Sequence, residues 1–191
     1  MAYGFARMAR LAPLLGAAAL AGCGSQGPGG GPTATQAAAR LRGSPAPLAA
    51  VHRQASALLA GGVAAFQARL RALRGYPVVV MQWSSWCDGC KADLEDFQTI
   101  SAQLGRRVAF IGVDVDDSVG AAREALRQHP LSFPSYRDHD RAIAFALSPI
   151  WSQYAPITYF YPRGGGKPEV YAGPFPKLAL LRGEIRTYTG A

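Results

Sequence analysis

The feature that most constrains this chain is a pair of cysteines with two residues between them, Cys87 and Cys90, at a junction between two different periodicities. Before them, Val78-Val79-Val80-Met81 is a continuous apolar run, the pattern of a buried strand. After them the sequence takes a helical period, with Leu94, Phe97, Ile100 and Leu104 along one stripe. A strand that turns into a helix here places Cys87 at the helix N-terminus. Free backbone N–H groups and the positive end of the helix dipole favour a thiolate there. Cys90 follows about one turn along the same face, able to reach Cys87 but less open to solvent. This gives one attacking and one resolving thiol, the minimum for disulfide exchange.

Two plainer readings compete. The pair could be half of a zinc site, but no second C-x-x-C completes four ligands, and His129 and His139 show no ligand spacing. It could also be a purely structural disulfide, although closing so short a loop constrains the unfolded chain little.

The third cysteine has a separate explanation. Arg7 and Arg10 precede a short apolar segment, Leu11 to Ala21, too short to span a bilayer and of the length of a signal-peptide core. It ends in Leu20-Ala21-Gly22-Cys23, which resembles the lipobox of bacterial lipoproteins, in which the cysteine is lipidated and becomes the mature N-terminus. The resemblance implies a bacterial cell-envelope location outside the cytoplasmic membrane, lipid-anchored, where disulfides persist. Residues 1–22 are then a lipoprotein signal peptide. Residues 23–47, rich in Gly, Pro, Ala, Ser and Thr, read as a lipidated N-terminus and flexible tether, and 48–191 as the folded domain.

With 49% hydrophobic and 17% charged residues the domain can bury a proper core. The net charge of +8 comes mostly from arginines scattered along the chain, and reads as a generally basic surface that could bias the protein toward anionic lipid or acidic partners. No recognition motif accompanies it, so no nucleic-acid binding is expected.

From Leu48 to Arg74 the period is helical, with Val51, Leu58, Leu59, Val63, Phe66, Leu70 and Leu73 as core candidates, a break at Gly61-Gly62, and His52 on the surface. Gly105 is a stop for the helix after the cysteines, and Arg107 to Asp114 reads as a second buried strand. Its acidic end, Asp114-Val115-Asp116-Asp117-Ser118, resembles the phosphate-transfer motif of haloacid dehalogenase-like phosphatases. No further motif of that family is present, and the preferred reading is that Asp117 or Ser118 caps a helix over 119–128. Phe133 to Tyr136 reads as a short edge strand, and Asp138 or Asp140 as the cap of a helix through Arg141 to Leu147. A strand over 157–161 follows Pro156, then a hairpin turn at 162–167, a strand over 169–173 and a final amphipathic helix from Lys177 to Tyr188.

The order β-α-β-α-β-α-β-β-α around a C-x-x-C resembles the thioredoxin fold. Within that superfamily the chain resembles the membrane-anchored TlpA/ResA-like thiol–disulfide oxidoreductases. The carriers are the W-x-x-W-C-x-x-C segment at Trp83 to Cys90, the acidic stretch Val113 to Ser118, the additional strand–helix unit Phe133 to Leu147, and Ala155-Pro156-Ile157-Thr158, which matches the family's cis-proline loop. The match covers roughly 75–188 and is weaker over 48–74.

The resemblance implies an α/β three-layer fold, a central mixed sheet flanked by helices, with a strand–helix insertion before the cis-proline loop. Cys87 would attack and Cys90 resolve, the two forming the redox disulfide with no other cofactor. Pro156, in cis, would sit against the pair and leave the Ala155 backbone to meet a substrate strand. Trp86 would line the rim with Trp83 beneath it, and Asp88, Gly89 and Lys91 would support the active-site turn. The implied partners are proteins with thiols or disulfides and a membrane electron donor or acceptor, served by a monomer. The implied task is reduction of specific partners, which in this group includes cysteines of apocytochrome c.

Two departures stand out. Thioredoxin's buried acid six residues before the first cysteine is here Met81, and the C-x-x-C interior is Asp88-Gly89, without the usual proline. Asp88 could stabilise the helix start and help move the Cys90 proton, while its charge opposes a thiolate at Cys87. Two other functions fit less well. A peroxiredoxin-like peroxidase expects a P-x-x-x-[ST]-x-x-C pattern, of which only Ser84 is present. A non-enzymatic copper-binding or assembly lipoprotein on this fold usually carries C-x-x-x-C.

Overall fold

The computed structural model describes Met1 and residues 30–191. The signal-like segment, Cys23 and residues 24–29 lie outside the described residues.

The described chain begins with two short helices, α1 (Ala34–Arg40) and α2 (Ala46–His52), then strand β1 (Leu58–Leu59) and helix α3 (Gly62–Ala72). The expected alternation follows: β2 (Val78–Trp83), α4 (Asp88–Leu104), β3 (Ala109–Val115), α5 (Val119–Gln128), β4 (Ser135–Asp138), α6 (Ala142–Leu147), β5 (Ile157–Tyr161), β6 (Glu169–Ala172) and α7 (Leu178–Thr189). The six strands form one mixed sheet in the order β1-β4-β3-β2-β5-β6, parallel from β1 to β2 and antiparallel across β5 and β6.

Every residue of β2 and β3 is buried, which is why both read as unbroken apolar runs: helices cover the sheet on both faces. The expected stripe of α4 faces the sheet, with Leu94, Phe97 and Ile100 fully buried and Leu104 partly so. Phe97 meets Phe110 edge-on at 6.5 Å. On the opposite face Phe66 of α3 meets Tyr136 of β4 edge-on at 5.6 Å. Ser118 caps α5, its hydroxyl accepting from Ala121 N–H at 3.1 Å. Asp138 reaches the start of α6, its carboxylate accepting from Ile143 and Ala144 N–H groups at 2.9 and 2.8 Å.

Four expectations need correction. The stretch up to Pro47 is not all tether. Thr33 and Gln36 form a reciprocal capping box, with Gln36 N–H donating to Thr33 Oγ1 (3.2 Å) and Thr33 N–H to Gln36 Oε1 (3.0 Å). The alanine-rich turn that follows buries Ala37 and Leu41, so the ordered domain starts well before residue 48. The Gly/Pro composition of 27–32 had masked these helix signals.

Residues 48–74 are not two helices broken only at Gly61-Gly62. α2 ends at His52, and Leu58-Leu59 pair in parallel with Ser135-Tyr136. That pairing puts β4 inside the sheet, so 133–136 is no edge strand. His52 is half-buried rather than on the surface. Its Nε2 lies 3.0 Å from Gly105 O and its Nδ1 3.4 Å from Ser132 O, and burial lowers its pKa against those carbonyls. Gly105 does end α4, but in right-handed conformation (φ −62°). The glycine is needed for space: a Cβ there would come within 2.7 Å of Leu41 Cδ2 and 3.0 Å of His52 Cε1.

If the N-terminal helices are part of the folded body, Leu41→Ala lowers stability by about 2–3 kcal/mol in chemical denaturation. A change below about 0.5 kcal/mol, the size expected for an exposed linker residue, would show that α1 does not contribute.

Candidate redox site

Cys87 is the N-cap residue of α4 (φ −90°, ψ 107°), and its Sγ accepts from Cys90 N–H at 3.1 Å, the position a serine or aspartate oxygen takes in ordinary caps. The two cysteines are joined in a disulfide with their Cα atoms 5.2 Å apart. Cys87 retains 8% exposure and Cys90 none, so of the two cysteines only the first keeps any surface toward solvent.

The turn that presents Cys87 is held from the β3–α5 connection. Cys87 N–H donates to Ser84 O at 3.3 Å, and Ser84 Oγ donates to Val115 O. Asp117 receives both Ser85 donors, the N–H at 2.6 Å and the hydroxyl at 2.7 Å. Trp83 is fully buried, its indole N–H donating to Ser135 Oγ at 3.1 Å, whereas Trp86 stands at the rim with 53% exposure. The Ala155–Pro156 bond is cis. Gly89 lies under Pro174 and Pro156: a Cβ at 89 would be 3.2 Å from Pro174 Cβ and 3.7 Å from Pro156 Cδ. Gln82 anchors the segment before Pro156, donating through Nε2 to Trp151 O (3.2 Å) and Tyr154 O while accepting from Tyr159 OH (3.3 Å).

The Cys87–Cys90 disulfide, Gly89 and Pro156 are thus brought together at the start of α4. Asp88 and Lys91 point outward and pair with each other at 2.8 Å, and the hydrogen bond from Lys91 holds the Asp88 carboxyl below its ordinary range. That pairing offsets the negative charge that Asp88 brings near Cys87.

Two buried acids were missed in the sequence. Asp93 lies one helical turn beyond Cys90, is 1% exposed and accepts from Phe175 N–H at 3.0 Å through Oδ1. Its Oδ2 meets no donor, and burial pushes its pKa up to about 7. The spacing Cys87, Cys90, Asp93 could have disclosed it. Asp114, beside Trp83 in the sheet register, is fully buried with neither oxygen bonded. Burial first, and then the neighbouring Asp117, raise it to about 9, so it is neutral near pH 7. Met81 is fully buried opposite Thr158. Among the described residues, no three His, Cys, Asp or Glu side chains gather in a metal-binding arrangement. His129 instead faces Glu95 at 3.5 Å.

The model of the AhpC/TSA family matches residues 51–167, more than half of the chain. The chain belongs to the AhpC/TSA family. A curated relative, the thiol-disulfide oxidoreductase ResA of Oceanobacillus iheyensis, is 26% identical over 108 residues. The match takes in 55% of this chain and 54% of the relative, so the chain spans about half the length of that protein. Among solved structures, a secreted Mycobacterium tuberculosis disulfide oxidoreductase homologous to Escherichia coli DsbE superposes with a TM-score of 0.52 at 24% identity, covering 61% of this chain and 85% of the other. The exposed lipoprotein thioredoxin Etrx1 of Streptococcus pneumoniae gives 0.52 at 18%, covering 62% and 89%. The fold is therefore thioredoxin-like, with the six-stranded mixed sheet flanked by helices.

The buried acids set a pH dependence of stability. Asp93 and Asp114 have pKa values raised above the unfolded 3.8, so the folded state holds more protons than the unfolded chain from about pH 4 up to about 7 and about 9 respectively. Stability therefore falls as pH rises through those windows, by at most about 1.4 kcal/mol per pH unit for each group. Asp114→Asn is expected to flatten the decline between about pH 5 and about pH 9 in denaturant titrations. A steeper decline in that variant would contradict the assignment.

Proposed function

We propose that this family member is an extracytoplasmic thiol–disulfide oxidoreductase that reduces disulfides of specific partner proteins and is attached to the membrane through a lipid on Cys23. The observation that carries the activity is the asymmetric pair, a slightly exposed Cys87 at a helix N-terminus ahead of a sealed Cys90, with a cis-proline against Gly89 between them. In the reduced protein the Cys87 thiolate attacks one sulfur of a partner disulfide and the other leaves as a thiolate. Cys90 then gives up its proton and attacks Cys87 Sγ, releasing the second partner thiol. Two electrons pass to the partner and the Cys87–Cys90 disulfide remains, to be reduced again by a membrane electron donor.

Asp93 is the group suited to take the Cys90 proton, being one turn away, partly unbonded and close to half-ionised near neutrality. Apocytochrome c cysteines are one substrate that this chemistry would serve. The similarity to an exposed lipoprotein thioredoxin supports the location.

Insulin reduction is the direct test. Cys87→Ser should fall to the uncatalysed background, and an unchanged rate would sink the proposal. Asp93→Asn should slow release of the mixed disulfide about tenfold or more and remove the rate increase expected of the wild type near pH 7. An unaltered pH profile would remove Asp93 from the mechanism. Rapid hydrogen peroxide consumption with negligible disulfide reduction would instead favour a peroxidase.

A further inference from the structure

The arginines that look scattered in the sequence are sorted by the fold. β2, β3 and β4 run parallel, so their first residues share one end of the sheet and their last residues the other. Arg71 and Arg74 lead into β2, and Arg106 and Arg107 lead into β3, whose first residue Ala109 pairs with Val78. β5 is antiparallel, so its last residue, Tyr161, also lies opposite Val78, and the following hairpin brings Arg163 and Lys167 to the same end. Arg163 is tied in place there, its Nη1 donating to Gly75 O at 3.1 Å, and Arg71, Arg74 and Arg163 line one groove. All six side chains belong to exposed residues, and among the described residues none is paired with a carboxylate. Glu169, opposite Phe160, is the acid that the register places nearest to them.

The other end is acidic and carries the redox pair. Asp116 and Asp117 lie just beyond β3, Asp138 ends β4, Asp140 follows, and Asp88 opens α4. Of the cations at that end, Lys91 pairs with Asp88, Arg141 with Asp116 at 3.1 Å, and Arg137 stands opposite Asp114 in the sheet register. α4 runs between the two ends, 17 residues or about 25 Å.

The N-terminal segment leaves the described residues on the side of the basic end. Gly31 packs against Thr99, and Pro32 O accepts from Gln98 Nε2 at 3.5 Å. Thr99 is five residues, about 8 Å, from the last residue of α4. From Gly30 back to Cys23 the chain can span about 25 Å at most, enough to reach a surface on which the basic end rests.

We propose that this basic end is a docking face for an anionic phospholipid bilayer, holding the domain upright with the Cys87–Cys90 pair turned away from the membrane. The inference rests on the membrane-attached reading above and adds an orientation to it. The charge distribution matches the occupant: unpaired cations face lipid phosphates, while the acidic end is repelled by the same surface and stays free for protein partners.

The test uses the full chain carrying Cys23→Ser, which cannot be acylated, with vesicles of phosphatidylcholine alone or mixed equally with phosphatidylglycerol. Co-sedimentation should be stronger on the anionic vesicles, and salt should remove the difference. Adding Arg74→Glu, Arg106→Glu and Arg107→Glu should cut the anionic partition by about a hundredfold or more, since each lost basic residue alone contributes about fivefold, with insulin reduction unchanged. If that variant is poorly folded, Arg106→Gln with Arg107→Gln should still lose about twenty-fold. Equal partition of a folded variant and its parent would overturn the proposal. So would tighter salt-sensitive binding to double-stranded DNA than to the anionic vesicles. The mass of the wild-type chain reports acylation of Cys23 separately, so failure of the anchor is distinguishable from failure of the docking face.

Discussion

The site depends on where α4 begins, and that point is fixed by one carboxylate. Asp117 accepts both the N–H and the hydroxyl of Ser85, which sits in the turn closed by Cys87 N–H on Ser84 O. The turn then leaves Cys87 in N-cap geometry with its sulfur over the first free N–H groups of the helix. A buried charge is expensive unless it is fully hydrogen-bonded, and two side by side are worse. The fold resolves this by giving Asp117 two hydrogen bonds from Ser85 and leaving Asp114 protonated behind it. Gly89 completes the arrangement, because a Cβ there would press on Pro174 at 3.2 Å and touch Pro156 at 3.7 Å.

Much of this could be read from the sequence because each signal was local and sustained. The apolar runs of β2 and β3, the stripe of α4 and the glycine-rich turn before β6 each follow from periodicity or turn chemistry alone. The choice between Asp117 and Ser118 as the cap of α5 is instructive. Ser118 takes the cap, and that frees Asp117 for a residue more than thirty positions away, a partnership no local pattern announces. β1 is two residues long and exists because β4 offers it an edge, so no pattern could have disclosed it. His52 is buried by Gly105 and Ser132, both distant in sequence. α1 was legible in principle through Thr33 and Gln36, but the neighbouring Gly/Pro composition outweighed a single capping box. Asp93 was legible too, since it continues the helical spacing of the two cysteines.

The net charge shows how topology gives direction to a bulk property. Arginines spread along a chain carry no orientation, and a generally basic surface is all they suggest. Three parallel strands change that: residues leading into them gather at one end, residues leaving them at the other. The same topology that puts Cys87 at the exit of β2 puts Arg74 near its entrance, so the chemistry and the basic surface are separated by the length of the sheet. The exposed Trp86 belongs to the reactive end, beside the acidic turn.

The central claim is that the fold makes two chemically similar thiols unequal. Alkylation of the reduced protein at neutral pH, with the modified residue identified by mass, tests it most directly. Iodoacetamide should label Cys87 about tenfold or more faster than Cys90. Equal labelling, or Cys90 labelled first, would contradict the account, because neither sulfur would then be singled out by the start of α4.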